Sequence, residues 1–111
     1  MVDVRRGEVW WVRLDPTMGS EIAKTRPCVI LSGNPFNKLR RTVVVIPLSS
    51  SPQAAFPLLV PVRCDGRNVV AVTDQIRAIT KQRLDRRLSE LSPEDLNAVQ
   101  RGVREVLELY P

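Results

Sequence analysis

The sequence predicts a fold organised around residues 25–32, which read Thr25-Arg26-Pro27-Cys28-Val29-Ile30-Leu31-Ser32. Residues 28–31 form an apolar run without alternation, as expected of a strand that is buried on both faces. Pro27 directs the preceding residue towards an extended backbone, so Arg26 should lie at the entrance of this strand. The stretch therefore predicts a central strand with a single arginine at one end.

A second apolar run follows at residues 42–48 and ends in Ser49, Ser50 and Ser51. Its first five residues are all β-branched and give the strongest strand signal in the chain. Pro47 predicts that the strand ends soon afterwards, because proline cannot donate to a central ladder. If the two runs pair, an arginine and a hydroxyl cluster meet at one end of a sheet. That end is the candidate active site.

The other elements follow from local patterns. Asp15-Pro16 ends the strand that is predicted at residues 7–14. Residues 17–25 are predicted to form a loop, residues 36–41 a polar connection and residues 65–68 a turn. Pro61 predicts that the strand at residues 58–62 lies at the edge of the sheet. A short helical segment is predicted at residues 81–87. Further strands are predicted at residues 7–14, 58–62, 69–72 and 75–79.

The C-terminal region carries the clearest helix signals. Ser92 can cap a helix, Pro93 suits its first position, and the acidic residues 94 and 95 suit the positive end of its dipole. Apolar residues then recur at helical spacing from Leu96 to Leu107. This pattern predicts an amphipathic helix that packs on the sheet. With 111 residues and 43% hydrophobic residues, the chain is expected to form a single domain, residues 1–111.

The positive charge is concentrated in one segment. The net charge is +5, and residues 22–64 contain six Lys or Arg but no Asp or Glu. Such a surface favours a polyanionic partner, although a solvated basic face on an ordinary protein would look the same. If phosphates are neutralised, binding should weaken steeply as salt rises.

Cysteine use and hydropathy indicate the compartment. Two cysteines do not make a disulfide framework, and Cys28 reads as an inert core residue. Residues 1–6 are not followed by an apolar signal segment, and no run reaches the roughly 18 apolar residues of a membrane span. We expect a soluble cytoplasmic protein with reduced thiols and no membrane association.

The residue inventory excludes several kinds of catalysis. The chain contains no histidine, so Ser-His-Asp and Cys-His arrangements are absent, and it has neither cysteine ligand spacing nor a glycine-rich phosphate loop. Catalysis would have to use Arg, Lys, Ser, Thr or a lone carboxylate, without metal or cofactor. RNA cleavage tolerates this inventory, because the 2′-hydroxyl of RNA is itself the nucleophile.

In such a reaction Arg26 could give two parallel hydrogen bonds to the phosphate, and Ser49 could hold a non-bridging oxygen. A guanidinium retains its proton too strongly to be a good general base, so the proton acceptor remains open. From the residues alone, Arg26 could equally be a surface arginine, and residues 49–51 could form only a turn.

At these residues the sequence resembles the MazF/PemK (Kid-like) toxin endoribonucleases of bacterial type II toxin–antitoxin modules. The resemblance covers nearly the whole chain. The order and spacing of several short motifs carry it, namely residues 6–10, 19–21, 26–32, 74–79 and 83–84.

The resemblance implies roles for particular residues. The family's catalytic arginine precedes a proline, as Arg26 does, and its partner hydroxyl is usually a threonine where this chain has Ser49. Ser50 competes with Ser49 for that role. Positions expected to line the RNA path are Glu21, Lys24, Ser50, Phe56, Asp74 and Gln75, with Phe56 as a stacking platform for an unstacked base.

The resemblance also implies a fold and partners. The expected fold is mainly β, a small SH3-like barrel of antiparallel strands with a C-terminal amphipathic helix, as in the MazF and CcdB families. The expected form is a homodimer that binds single-stranded RNA and a cognate antitoxin. The antitoxin would bind through an acidic, amphipathic C-terminal segment that folds on contact.

The leading hypothesis is a metal-independent, sequence-selective endoribonuclease that leaves 2′,3′-cyclic phosphate and 5′-hydroxyl ends. One alternative is a non-catalytic, CcdB-like toxin that binds gyrase. That family depends on a tryptophan near the C-terminus, whereas this chain ends in residues 107–111, Leu-Glu-Leu-Tyr-Pro. A third possibility is a basic RNA-binding module of SH3-like type. An RNA substrate would stay intact with either alternative.

Overall fold

The computed structural model describes residues 3–15, 18–50 and 53–110. Its strands are β1 (Glu8–Arg13), β2 (Thr25–Ile30), β3 (Thr42–Ser49), β4 (Leu59–Cys64), β5 (Arg67–Val72), β6 (Arg77–Thr80) and β7 (Leu84–Glu90). The helices are α1 (Asn34–Leu39) and α2 (Pro93–Leu107), and short 3-10 turns occupy Thr73–Gln75 and Lys81–Arg83. Among the described residues, no helix is long and apolar enough to cross a membrane.

The strands form one curled antiparallel sheet in the order β4-β5-β3-β2-β1-β7, and β6 also pairs with β3. Strand β3 joins the two parts of the sheet, because its start pairs with β6 and its end pairs with β5. The curled half-barrel with one C-terminal helix confirms the predicted fold class. The position of β4 at the end of the sheet also confirms the edge strand that Pro61 predicts.

Strand β2 is buried on both faces, as its sequence predicts. Cys28, Val29 and Ile30 have no solvent exposure. Val29 belongs to the hydrophobic core that includes Val99 of α2, whereas Cys28 and Ile30 belong to a second core on the other face. The run lacks alternation because each face of the sheet has its own core. Burying a side chain of this size contributes about 1.5–3 kcal/mol to stability.

Strand β3 ends at Ser49, two residues beyond Pro47, which confirms the predicted end of the strand soon after the proline. Pairing with β6 ends at Val45, and pairing with β5 starts at Leu48. Pro47 falls between these two ladders, so neither of them requires an N–H from it. The proline therefore lies where β3 exchanges one partner for the other.

The predicted helical segment at residues 81–87 is wrong for most of its length, because only Lys81–Arg83 forms a 3-10 turn and the rest is strand. The 3-10 turn is followed by β7, which pairs with β1. Leu84 and Leu88 have the spacing of one helical turn, but β1 has a free edge whose backbone groups need partners. Pairing with that edge prevails over the local pattern.

Helix α1 occupies most of the region predicted as a polar connection. It spans fewer than two turns and carries no apolar stripe, so its sequence gives little helical signal. The buried side chain of Asn37 anchors it by donating to the backbone oxygen of Ser32 at 2.9 Å.

Helix α2 follows its predicted signals. The hydroxyl of Ser92 accepts a hydrogen bond from the backbone N of Asp95 at 3.1 Å, and Pro93 is the first helical residue. The carboxylate of Asp95 accepts from the backbone N of Arg63 at 2.9 Å, which covers part of the exposed edge of β4. At Gly102 the helix packs so closely on the sheet that an added Cβ would lie 2.8 Å from Val60 Cγ2.

Candidate active site

The structure brings Arg26 and the serines to one end of the sheet, as the paired runs predict. The β2–β3 register places Cys28 opposite Pro47. The β2–β3 pairing ends at this pair, and Arg26 and Ser49 each lie two residues beyond it. Both residues and Ser50 line one groove of about 550 Å³, which we call the catalytic groove. Ser51 lies outside the described residues.

The catalytic groove combines an apolar floor with a mixed polar rim. Among the described residues that line it, Arg26 and Arg67 are the cations and Asp65 is the one carboxylate. An anion bound here would meet cations from two different strands, with one carboxylate beside them. The remaining lining residues are Trp11, Thr25, Pro27, Leu48, Cys64, Asn68, Val69 and Leu88.

Arg26 has a fixed backbone and an available head group. Its backbone pairs with Val12 of β1, and Pro27 continues the strand beside it. The Nε atom donates to the carbonyl of Ala23 at 3.4 Å, which is a long hydrogen bond. Within residues 3–15, 18–50 and 53–110, Arg26 forms no ion pair. The guanidinium therefore keeps most of its donors for a ligand.

The hairpin between β4 and β5 forms the second wall of the groove. Asp65 and Gly66 make its two-residue turn with φ values of 52° and 78°, the left-handed geometry that Asp-Gly favours. Arg63 stabilises the turn by donating to the carbonyl of Gly66 at 2.9 Å. The turn at residues 65–68 is predicted from the sequence, but its place opposite Arg26 is not.

Trp11 supplies part of the groove wall. It pairs with Pro27 of β2, and the guanidinium of Arg86 lies 5.8 Å from its ring centroid. Its indole Nε1 is buried and has no hydrogen-bond partner among the described residues. A buried donor without a partner lowers the stability of the fold.

The sequence does not predict Trp11, Asp65, Arg67 or Asn68 as site residues. The Asp-Gly turn offers the only signal that could have identified three of them. Their position over the groove depends on the pairing of β5 with the end of β3, where Ser49 lies opposite Val70.

Five residues that the family resemblance assigns to the RNA path are not among the residues lining the catalytic groove: Glu21, Lys24, Phe56, Asp74 and Gln75. Several of them shape the segment before β2. Gln75 Oε1 accepts from the backbone N of Ile22 at 3.1 Å, and the backbone N of Lys24 donates to Asp15 at 2.9 Å. Phe56 is 55% exposed. Their contacts with RNA stay predictions.

The Cys28 thiol is structural rather than reactive. Cys28 lies behind Arg26 in β2, and burial raises the pKa of its thiol to about 12, although nearby Arg77 partly opposes this shift. Both cysteines are buried and free. A thiol with this pKa carries almost no thiolate at neutral pH, so Cys28 is not a nucleophile.

Fold and groove together define a class of protein. It is a small antiparallel half-barrel with a C-terminal helix, and its groove presents an arginine and a hydroxyl pair suited to a phosphodiester. The sequence matches the family described as PemK-like, MazF-like toxin of type II toxin–antitoxin system over residues 5–107. The chain belongs to this family, which confirms the resemblance noted in the sequence.

Individual relatives agree with this assignment. Endoribonuclease MazF9 of Mycobacterium tuberculosis is 32% identical over 116 residues, which cover 96% of this chain and 98% of the relative. The crystal structure of MazF from Deinococcus radiodurans has a TM-score of 0.85 at 22% identity and covers 97% of this chain and 99% of that one. An endoribonuclease from a mycobacterial species, in complex with its cognate antitoxin, has a TM-score of 0.81 at 23% identity, with the same coverage of both chains.

Proposed function

We propose that the protein is an endoribonuclease toxin that cleaves single-stranded RNA and is neutralised by a cognate antitoxin. Family membership supports this function, as does the relative that is named an endoribonuclease. The observation that carries the proposal is that Arg26 of β2 and Ser49 of β3 line the same groove. Residues 1–111 would act as one toxin domain in the cytoplasm.

The proposed reaction needs no metal or cofactor. The 2′-oxygen of the RNA attacks the adjacent phosphorus and loses its proton, while the bond from phosphorus to the 5′-oxygen breaks and that oxygen gains a proton. The products are a 2′,3′-cyclic phosphate and a 5′-hydroxyl. Arg26 binds two phosphate oxygens, and the hydroxyl of Ser49 donates to a non-bridging oxygen, so that developing charge is stabilised in place. Ser50 is the alternative donor.

Asp65 is the proposed proton acceptor for the 2′-hydroxyl. A guanidinium is a poor base, and Asp65 is the carboxylate that the described residues contribute to this groove. Asp65→Asn tests the role cleanly, because asparagine also tolerates the left-handed turn. We expect kcat to fall about 100-fold while KM changes little. An unchanged kcat would contradict the role and leave Asp65 as a turn residue.

Substrate and partner binding extend beyond the catalytic groove in this proposal. Lys24 and Phe56 would contact phosphate and base, and Glu21, Asp74 and Gln75 would shape base selection. The active form would be a homodimer, and the antitoxin would bind through an acidic C-terminal segment. The complex of the mycobacterial endoribonuclease with its cognate antitoxin supports such a partner.

The decisive experiment is a cleavage assay on mixed-sequence RNA in the presence of EDTA. We expect discrete fragments whose 5′ ends carry hydroxyls, and an Arg26→Ala protein purified in parallel should produce none. Sequencing the 5′ ends of the fragments would give the recognition motif. A requirement for magnesium would refute the mechanism, and RNA that stays intact would favour a non-catalytic gyrase-binding toxin or RNA-binding module.

A further inference from the structure

A second groove lies at the opposite end of β3 from the catalytic groove. Its volume is about 410 Å³, and it is formed by the end of α1, the start of β3, the end of β6 and the 3-10 turn that follows. We call it the basic groove. Among the described residues, those that line it are Lys38, Leu39, Arg40, Arg41, Thr80, Lys81 and Gln82. Four of these seven are cations, and none is a carboxylate.

The cations of the basic groove are not neutralised within the chain. The side chains of Lys38, Arg40 and Arg41 form no hydrogen bond or ion pair with any described residue. Lys81 is anchored, because its ammonium donates to the carbonyl of Asn37. Attraction to the C-terminal end of α1 explains one basic residue in the last turn, Lys38, but not the two arginines that follow the helix.

Other lining groups suit a nucleic acid. Arginine forks bind phosphate oxygens in pairs, and the Thr80 hydroxyl and the Gln82 amide can donate to phosphate or sugar. Leu39 is 79% exposed, and Phe36, 64% exposed, precedes it by three residues on the same side of the helix. An exposed aromatic ring beside phosphate-binding cations can stack an unpaired base.

We propose that the basic groove is a second RNA-binding site, which holds the phosphate backbone of the substrate at a distance from the scissile bond. This proposal rests on the proposed endoribonuclease function. Thr42 and Ser49 mark the two ends of β3, which are roughly 23 Å apart at the rise of an extended strand. A single RNA strand can therefore contact both grooves. The basic groove would add affinity without touching the reacting phosphate.

The test compares two RNAs and two double variants. One RNA contains only the cleaved site and its immediate neighbours, and the other extends it on both sides. Arg40→Gln/Arg41→Gln removes two charges from the basic groove. Arg101→Gln/Arg104→Gln removes two exposed charges from α2 that line neither groove, and it serves as the control. The measured quantity is kcat/KM at several salt concentrations.

For the extended RNA we expect Arg40→Gln/Arg41→Gln to lower kcat/KM about tenfold at low salt, and to reduce the slope of log affinity against log salt by about 1.4. Cleavage of the short RNA should not change, and the control variant should behave like the wild type on both RNAs. Because the side chains of Arg40 and Arg41 form no hydrogen bond or ion pair among the described residues, thermal stability should change little.

Three results would overturn the proposal: an equal loss on both RNAs, an equal loss in the control variant, or a changed oligomeric state on gel filtration. Reduced binding of polyglutamate with unchanged RNA cleavage would also overturn it, and would assign the groove to an acidic protein segment. If the wild type cleaves neither RNA, the endoribonuclease function itself is wrong. If the wild type cleaves both RNAs with the same kcat/KM, only the second RNA-binding site is refuted.

Discussion

The two ends of β3 carry grooves of similar size but different chemistry. At the Ser49 end, an arginine from a paired strand faces hydroxyls, a carboxylate and a partly buried tryptophan. At the Thr42 end, cations cluster without any carboxylate among the described lining residues. Mixed charges at fixed positions can orient a phosphate and move protons, whereas a cluster of one sign can only attract it.

The location of each arginine explains this difference. The backbone of Arg26 is held by its pairing with Val12 of β1, so its guanidinium has a defined origin. Arg40 and Arg41 are exposed like Arg26, but they lie between α1 and β3 and outside any strand. An arginine held beside the reacting phosphate can stabilise a transition state, whereas one that is distant from it contributes mainly to association.

The largest expected contrast is between Arg26→Ala and Arg41→Ala on the short RNA. Arg26→Ala should lower single-turnover cleavage about 100- to 1,000-fold, because a donor to the reacting phosphate is lost. Arg41→Ala should change it less than about twofold. Arg26→Lys keeps the charge but not the paired donors, so it should recover only part of the loss. Comparable losses for Arg26→Ala and Arg41→Ala would remove the distinction between the grooves.

The serines should differ by a smaller factor. Ser49→Ala is expected to reduce kcat about 10- to 100-fold, because a donor to the non-bridging oxygen disappears, whereas Ser50→Ala should cost only a few-fold. Ser49→Thr retains the hydroxyl and should keep near wild-type activity. A larger loss in Ser50→Ala would transfer the catalytic role to Ser50.

Arg67 should have an intermediate role, because it lines the catalytic groove opposite Arg26. We expect Arg67→Gln to raise KM for the short RNA about fivefold with little change in kcat, as for a contact made equally in the ground and transition states. Steady-state kinetics on the short RNA would check this. A fall in kcat with unchanged KM would place Arg67 among the groups that stabilise the transition state.

Cys28 should have the smallest effect on activity, although it lies directly behind Arg26. Its pKa is about 12 in the folded protein against 9.0 in the unfolded chain. Between these values the unfolded state loses the proton and the folded state keeps it. Stability should therefore fall with rising pH, by about 1.4 kcal/mol per pH unit. Urea unfolding above pH 9 should show this slope in the wild type and not in Cys28→Ala, with neutral-pH activity unchanged.

The elements that local chemistry specifies are those that the sequence predicts correctly. The β2 run and its Arg-Pro entrance, the edge strand marked by Pro61 and the capped helix α2 each depend on side-chain preferences within a few residues. The proximity of Arg26 and Ser49 could be predicted as well, because two neighbouring antiparallel strands of matched length bring their ends together.

Elements that depend on distant partners could not be predicted in this way. Strand β7 forms because β1 has an edge to pair with, even though Leu84 and Leu88 suggest a helix. Pro47 is tolerated because β3 changes partners at that residue, which no local pattern indicates.

The sequence by itself determined the central strand, the C-terminal helix and the arginine–hydroxyl pair, since these follow from local backbone preferences and the burial of apolar runs. The tertiary structure alone decided which other groups join them. Pairing of β5 with the end of β3 brings Asp65 and Arg67 over the catalytic groove, and packing of α1 beside β6 assembles the basic groove. Both depend on contacts between residues far apart in the chain, whose energies do not appear in any short stretch of sequence.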